Sequence, residues 1–127
     1  MMKREQIIPP NLDESHGPYA HGVKVGNLIF TTQIGTGADG ELVPGGIKPQ
    51  TEQTLENAIA VLATVGATLD DVAKVTIYVT DMALVPEMNE VYRAYFEAGD
   101  FPARCCTMCA GMYGGAVVEM EFTAVAG

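Results

Sequence analysis

One arginine and two carboxylates near the C-terminus are the side chains of this chain best placed for chemistry. Phe101-Pro102-Ala103-Arg104-Cys105-Cys106 opens a strand-like run, and the alternating stretch Val117-Val118-Glu119-Met120-Glu121-Phe122 follows it. A guanidinium stays charged in a partly dry site and grips a carboxylate through two parallel hydrogen bonds. The pairing therefore suits a pocket for a small anion, with a carboxylate at hand to manage a water. Glu119 is the candidate, as a base or as a water-orienting acceptor, and Glu121 shares its strand parity and competes with it. On pattern alone, Arg104 also reads as a surface arginine paired to an acid, and Glu119 as an exposed strand carboxylate.

Alternation puts Arg104, Cys106 and Met108 on one face of their strand and Cys105, Thr107 and Cys109 on the other. Cys106 is thus the thiol expected to share a pocket with Arg104. A nucleophilic cysteine needs a base or a strong positive field, and spacing alone does not bring His16 or His21 to it. Zinc is not expected either, because three ligands on opposite strand faces lack a fourth. Tyr19 follows the rigid Gly17-Pro18 and can aim its ring at a cleft, core or interface packing being the alternative. Asn89 lies beside Met88 and Tyr92 on a helix, as a pocket residue or a surface amide. Gly114-Gly115 reads as a tight strand connection without phosphate-binding spacing.

These residues need a scaffold, and 127 residues are enough for one domain, 1–127, that removes roughly two thirds of its extended surface from water. Seven Lys and Arg against sixteen Asp and Glu give a net charge of -9, with no basic run to neutralise a phosphate backbone. Nucleic acid is not an expected partner. No apolar stretch approaches the roughly 20 residues of a membrane span, and the N-terminal residues carry no apolar signal core, so a cytoplasmic location is expected. Cys105, Cys106 and Cys109 are an odd set placed too close for a disulfide framework and read as reduced thiols.

Along the chain, Ile7-Ile8 forms a short strand stopped by Pro9-Pro10, and a polar loop follows over 11–18. Tyr19 to Val25 and Leu28 to Ile34 make a hairpin about Gly26-Asn27. Gly35 to Pro49 is a glycine-rich loop, and a helix runs from Thr51 with Leu55, Ala58, Ile59, Leu62 and Ala63 on its apolar stripe and Gly66 at its stop. Val72 to Thr80 alternates as a strand, and Asp81 caps the segment after it. A second helix has Pro86 in its first turn, Val85, Met88, Tyr92, Tyr95 and Phe96 on one side and Gly99 at its end. Arg104 to Ala110 and Ala116 to Ala126 are the last two strands. The result is an α+β domain, a mixed sheet with two helices on one face. The other face keeps Ile, Val and Met, and self-association is the economical way to cover them.

The chain resembles the RidA/YjgF family of reactive-intermediate (enamine/imine) deaminases. The resemblance rests on Gly17-Pro18-Tyr19, Gly26-Asn27-Leu28-Ile29, Gln33-Ile34, Thr54-Leu55-Glu56-Asn57, Val75-Thr76-Ile77-Tyr78-Val79-Thr80-Asp81, Met88-Asn89-Glu90-Val91-Tyr92, Phe101-Pro102-Ala103-Arg104 and Val118-Glu119-Met120-Glu121. It implies a chorismate-mutase-like fold, a mixed six-stranded sheet and a homotrimer with a barrel-like core and pockets between subunits. It also implies hydrolysis of 2-aminoacrylate and other 2-imino acids to 2-keto acids and ammonia, without metal or organic cofactor. By the same resemblance Arg104 binds the substrate carboxylate and Cys106 lines the pocket, its backbone touching the ligand. Glu119 orients the water, and Tyr19 and Asn89 lie at the pocket side. The family's Ser-Gly-Gln is here Thr31-Thr32-Gln33, one residue shorter after Gly26, with Thr31 or Thr32 in place of the serine hydroxyl. That change bears on substrate range and activity. A competing reading is a non-enzymatic or chaperone-like trimer that binds small carboxylates in the same cleft. Ribonuclease activity, attached to some relatives, sits badly with the acidic charge.

Overall fold

The computed structural model describes residues 2–10, 12, 15 and 17–126. Much of the polar loop expected over 11–18, His16 included, lies outside the described residues. Six strands, β1 (Glu5–Ile7), β2 (Gly22–Val25), β3 (Leu28–Gln33), β4 (Val72–Val79), β5 (Ala103–Met108) and β6 (Val118–Val125), form one sheet in the order β1-β2-β3-β6-β4-β5. Every pairing is antiparallel except β4 with β5. Helices α1 (Ile47–Thr64) and α2 (Val85–Arg93) pack on one face.

Apolar periodicity decides most of this. In β6, Val118, Met120, Phe122 and Ala124 are all buried, and so apolar a strand belongs in the middle of the sheet, between β3 and β4. That placement corrects the expected tight connection at Gly114-Gly115. The chain instead crosses the end of β4, where Cys109 donates its N–H to the Val79 carbonyl (2.9 Å) and Thr80 donates to Val117 (3.2 Å). In β4 a register shift between Val72 and Lys74 lets Val72 join Val75, Ile77 and Val79 in the core. In the hairpin, Val25 opposes Leu28, leaving Gly26-Asn27 as a two-residue turn.

α1 begins four residues before the expected Thr51. Pro49 falls in its first turn, where a missing N–H costs nothing, and the Gln50 N–H already donates to the Gly46 carbonyl (3.1 Å). The helix closes as expected at Gly66, whose φ of 76° lets Ala67 donate to Leu62 and Gly66 to Ala63. α2 ends at Arg93, short of the expected span. Tyr95 and Phe96 follow in tight turns that bond back three residues to Tyr92 and Arg93. Asp81 caps a short turn before α2, its carboxylate accepting from the Ala83 N–H (2.9 Å).

Ile29, Leu55, Leu62, Val75, Ile77, Met88, Met120 and Phe122 fill the space between helices and sheet. The uncovered face carries Val23, Val25, Leu28, Phe30 and Val125 beside Tyr78, Glu119 and Glu121. Ile29, Ile77 and Met120 all point to the core, and the isoleucine on the open side is Ile34, which lines a groove there with Phe30, Thr32 and Glu119. No helix among the described residues is long and apolar enough to cross a membrane.

Candidate active site

Arg104 stands on the edge strand β5 opposite Val75, which points it toward the helices. Its Cζ lies 5.0 Å from the centroid of the Tyr92 ring on α2. Around it is a shallow cleft of about 240 Å³ lined by Asn89, Tyr92, Arg93, Phe101, Pro102 and Arg104. Among the described residues the one ion pair joins Lys48 to Glu90 (2.8 Å), so Arg104 is not tied up by a surface acid. Two oxygens near the cleft, Asn89 Oδ1 and Tyr92 Oη, are buried without a hydrogen-bond partner among the described residues. Burial pushes the Tyr92 phenol up to about 12, against a smaller opposing effect of Arg104.

Glu119 stands on β6 opposite Tyr78, on the uncovered face. It borders a groove of about 890 Å³ to which Tyr19, His21, Phe30, Thr32 and Tyr113 also contribute. Burial, and then the neighbouring Glu121, raise its carboxyl above the ordinary range. Glu121 already accepts a hydrogen bond from the Tyr78 hydroxyl (2.7 Å), whereas Glu119 accepts none among the described residues. That difference separates the two competing carboxylates.

The threonines divide in the same way. Thr31 is buried, donating to the His21 carbonyl (2.7 Å) and accepting from Gln33 Nε2 (2.8 Å), while Thr32 is exposed on the groove side. Tyr19 is 66% exposed, so core packing does not hold it. Its ring lies against Gly17, where an added Cβ would meet Tyr19 Cε2.

Arg104 and Glu119 do not meet within one chain. β4 lies between their strands and the two side chains leave opposite faces of the sheet. Cys106 shares the Arg104 side and packs against the core. Burial raises its thiol pKa more than Arg104 lowers it, the reverse of what activates a nucleophile. Among the described residues no three of His, Cys, Asp and Glu gather as metal ligands. Tyr92 was read from the sequence only as part of an apolar stripe, and nothing in spacing marked it as the ring beneath Arg104. Tyr113, which borders the groove, carried no signal.

A family model described as Endoribonuclease L-PSP matches residues 11–126. A RutC family protein of Pyrococcus abyssi is 40% identical over 122 residues, covering 94% of this chain and 95% of its own. A 2-iminobutanoate/2-iminopropanoate deaminase of Mus musculus is 36% identical over 126 residues, covering 98% and 93%. The solved structure of Escherichia coli TdcF with bound serine superposes with a TM-score of 0.87 at 30% identity, covering 97% of this chain and 99% of that one. Similar to these proteins in sequence and in fold over almost its full length, the chain belongs to the RidA/YjgF family.

Proposed function

We propose that the protein is a cofactor-independent deaminase that hydrolyses small 2-imino acids, 2-aminoacrylate-derived ones included, to 2-keto acids and ammonia. The observation that carries this reading is a pair of groups unmatched among the described residues: a guanidinium without an acid partner and a half-buried carboxyl without a donor. They lie on opposite faces of the sheet, so a site using both takes Arg104 from one copy and Glu119 from the next. Such a site requires an oligomer, and we take it to be a homotrimer whose uncovered sheet faces pack inward. The apolar side chains on that face favour this. Support also comes from the mouse relative named as an iminobutanoate deaminase and from the serine, a small amino acid, bound to TdcF.

In this mechanism Arg104 holds the substrate carboxylate and Asn89, Tyr19, Thr32 and the neighbourhood of Cys106 shape the cleft. Glu119 accepts a proton from a water as its oxygen bonds to the imine carbon. The C=N π pair moves to nitrogen, which takes a proton, giving a carbinolamine. The nitrogen then gains a third proton as the hydroxyl gives one up, the C–N bond breaks with its electron pair going to nitrogen, and the products are a 2-keto acid and ammonia. Thr31 belongs to the pocket wall through its bond to the His21 carbonyl. A reducing cytoplasm suits the three free cysteines.

Ammonia and keto-acid release from 2-imino acids generated in situ by an amino-acid oxidase tests the reading. Arg104→Ala should lower kcat/KM about 10- to 100-fold, the worth of one charge-assisted contact. Glu119→Gln should lower kcat about 100- to 10,000-fold. A parent chain that leaves the spontaneous rate unchanged would instead favour a trimer that only binds small carboxylates.

A further inference from the structure

We propose that Tyr92 is the positioning residue for Arg104: its buried ring is the platform that turns the guanidinium into the cleft before any anion arrives. The inference rests on the reading of Arg104 as the carboxylate-binding group.

Arg104 needs such a device. It is a long, exposed side chain on an edge strand, and among the described residues no carboxylate pairs with it. Left alone it would sample many rotamers, and a ligand would have to order it. An acid partner would order it too, but would occupy the donors that a substrate carboxylate needs. A ring face attracts the cation through its quadrupole and takes none of the five N–H donors. The observed 5.0 Å from Cζ to the ring centroid is inside the roughly 6 Å reach of that attraction.

The platform is itself immobilised. Tyr92 is 3% exposed and sits in the core on α2. Its ring packs on Phe96 with centroids 4.9 Å apart, and Phe96 packs on Phe101 at 6.0 Å. Phe101 is also part of the cleft wall. Three aromatic rings thus tie α2, the turns after it and the approach to β5 into one surface under Arg104. The hydroxyl plays no part in this, since Tyr92 Oη has no hydrogen-bond partner among the described residues.

The test measures the affinity of the intact assembly for 2-oxobutanoate by calorimetry, together with the melting temperature. Tyr92→Phe should bind as the parent does. Replacing Tyr92 by phenylalanines bearing one, two and then three ring fluorines keeps the shape while draining the quadrupole. Kd should then rise stepwise by about 2- to 30-fold in all, with melting little changed. In an Arg104→Ala background the same series should be flat. A flat series in the parent background overturns the proposal, as does a Tyr92→Phe protein that binds as poorly as the most fluorinated one. Should Arg104→Ala leave Kd unchanged, the carboxylate-binding role fails and the positioning role falls with it. If Arg104→Ala weakens binding while fluorination does not, only the positioning role is lost.

Discussion

Arg104 and Glu119 are unlike in what their surroundings do to charge. Arg104 brings a guanidinium to the cleft by Tyr92 with no acid beside it among the described residues. Glu119 is a carboxyl whose ionisation is opposed by burial and by Glu121. Its folded pKa lies above its unfolded one, so the folded state holds the extra proton between the two values. The stabilising effect of that proton is lost as pH rises through the folded pKa. Glu119→Gln should therefore raise the melting temperature at neutral pH, and the gain should vanish below the ordinary carboxylate range. Melting curves of the two proteins across pH check this, and a gain that persists in acid would contradict it. The acid limb of kcat should likewise lie above the usual carboxylate range and disappear in the same variant. Arg104 and Glu119 were legible as candidates because residue type and strand parity are local properties. The support under Arg104 was not, since nothing in the sequence tells a tyrosine that fills a core from one that also underlies a cation.

Among the elements, the two helices show how local signals and tertiary packing divide the work. Proline, glycine and the capping aspartate marked boundaries that the structure keeps at Gly66, Pro86 and Asp81. The start of α1 was missed because Pro49 reads as a loop residue, although a first turn accepts it. Buried polar residues in that first half also hid it. Gln50 is buried, yet its Oε1 accepts the Val117 N–H (3.0 Å) and so ties α1 to the start of β6. The closing turn gives a clean test. Gly66 has a φ of 76° and open space where a Cβ would go, so Gly66→Ala meets backbone strain without a clash. It should cost about 1–2 kcal/mol, measured by urea unfolding at unchanged m-value. A neutral result would show that the helix end does not hold that conformation in solution. The sheet order was the least legible feature. Which strand becomes central depends on pairings between distant segments, and it is the insertion of β6 between β3 and β4 that separates the arginine from the carboxylate.

At the scale of the whole molecule, that separation is the consequence that matters. A single chain presents Arg104 on one side of its sheet and Glu119 on the other, which on the proposed reading are halves of a shared site, and the uncovered face carries both Glu119 and the apolar side chains that favour association. Assembly and chemistry are on this account one requirement. The most direct measurement is subunit complementation. Arg104→Ala and Glu119→Gln proteins, each folded and each impaired as predicted above, are unfolded together in equal amounts and refolded. If every site takes its arginine and its carboxylate from different copies, random mixing restores about a quarter of the parental sites, and ammonia release rises to match. A mixture that forms hybrid oligomers yet stays as inactive as its two components would contradict the shared site.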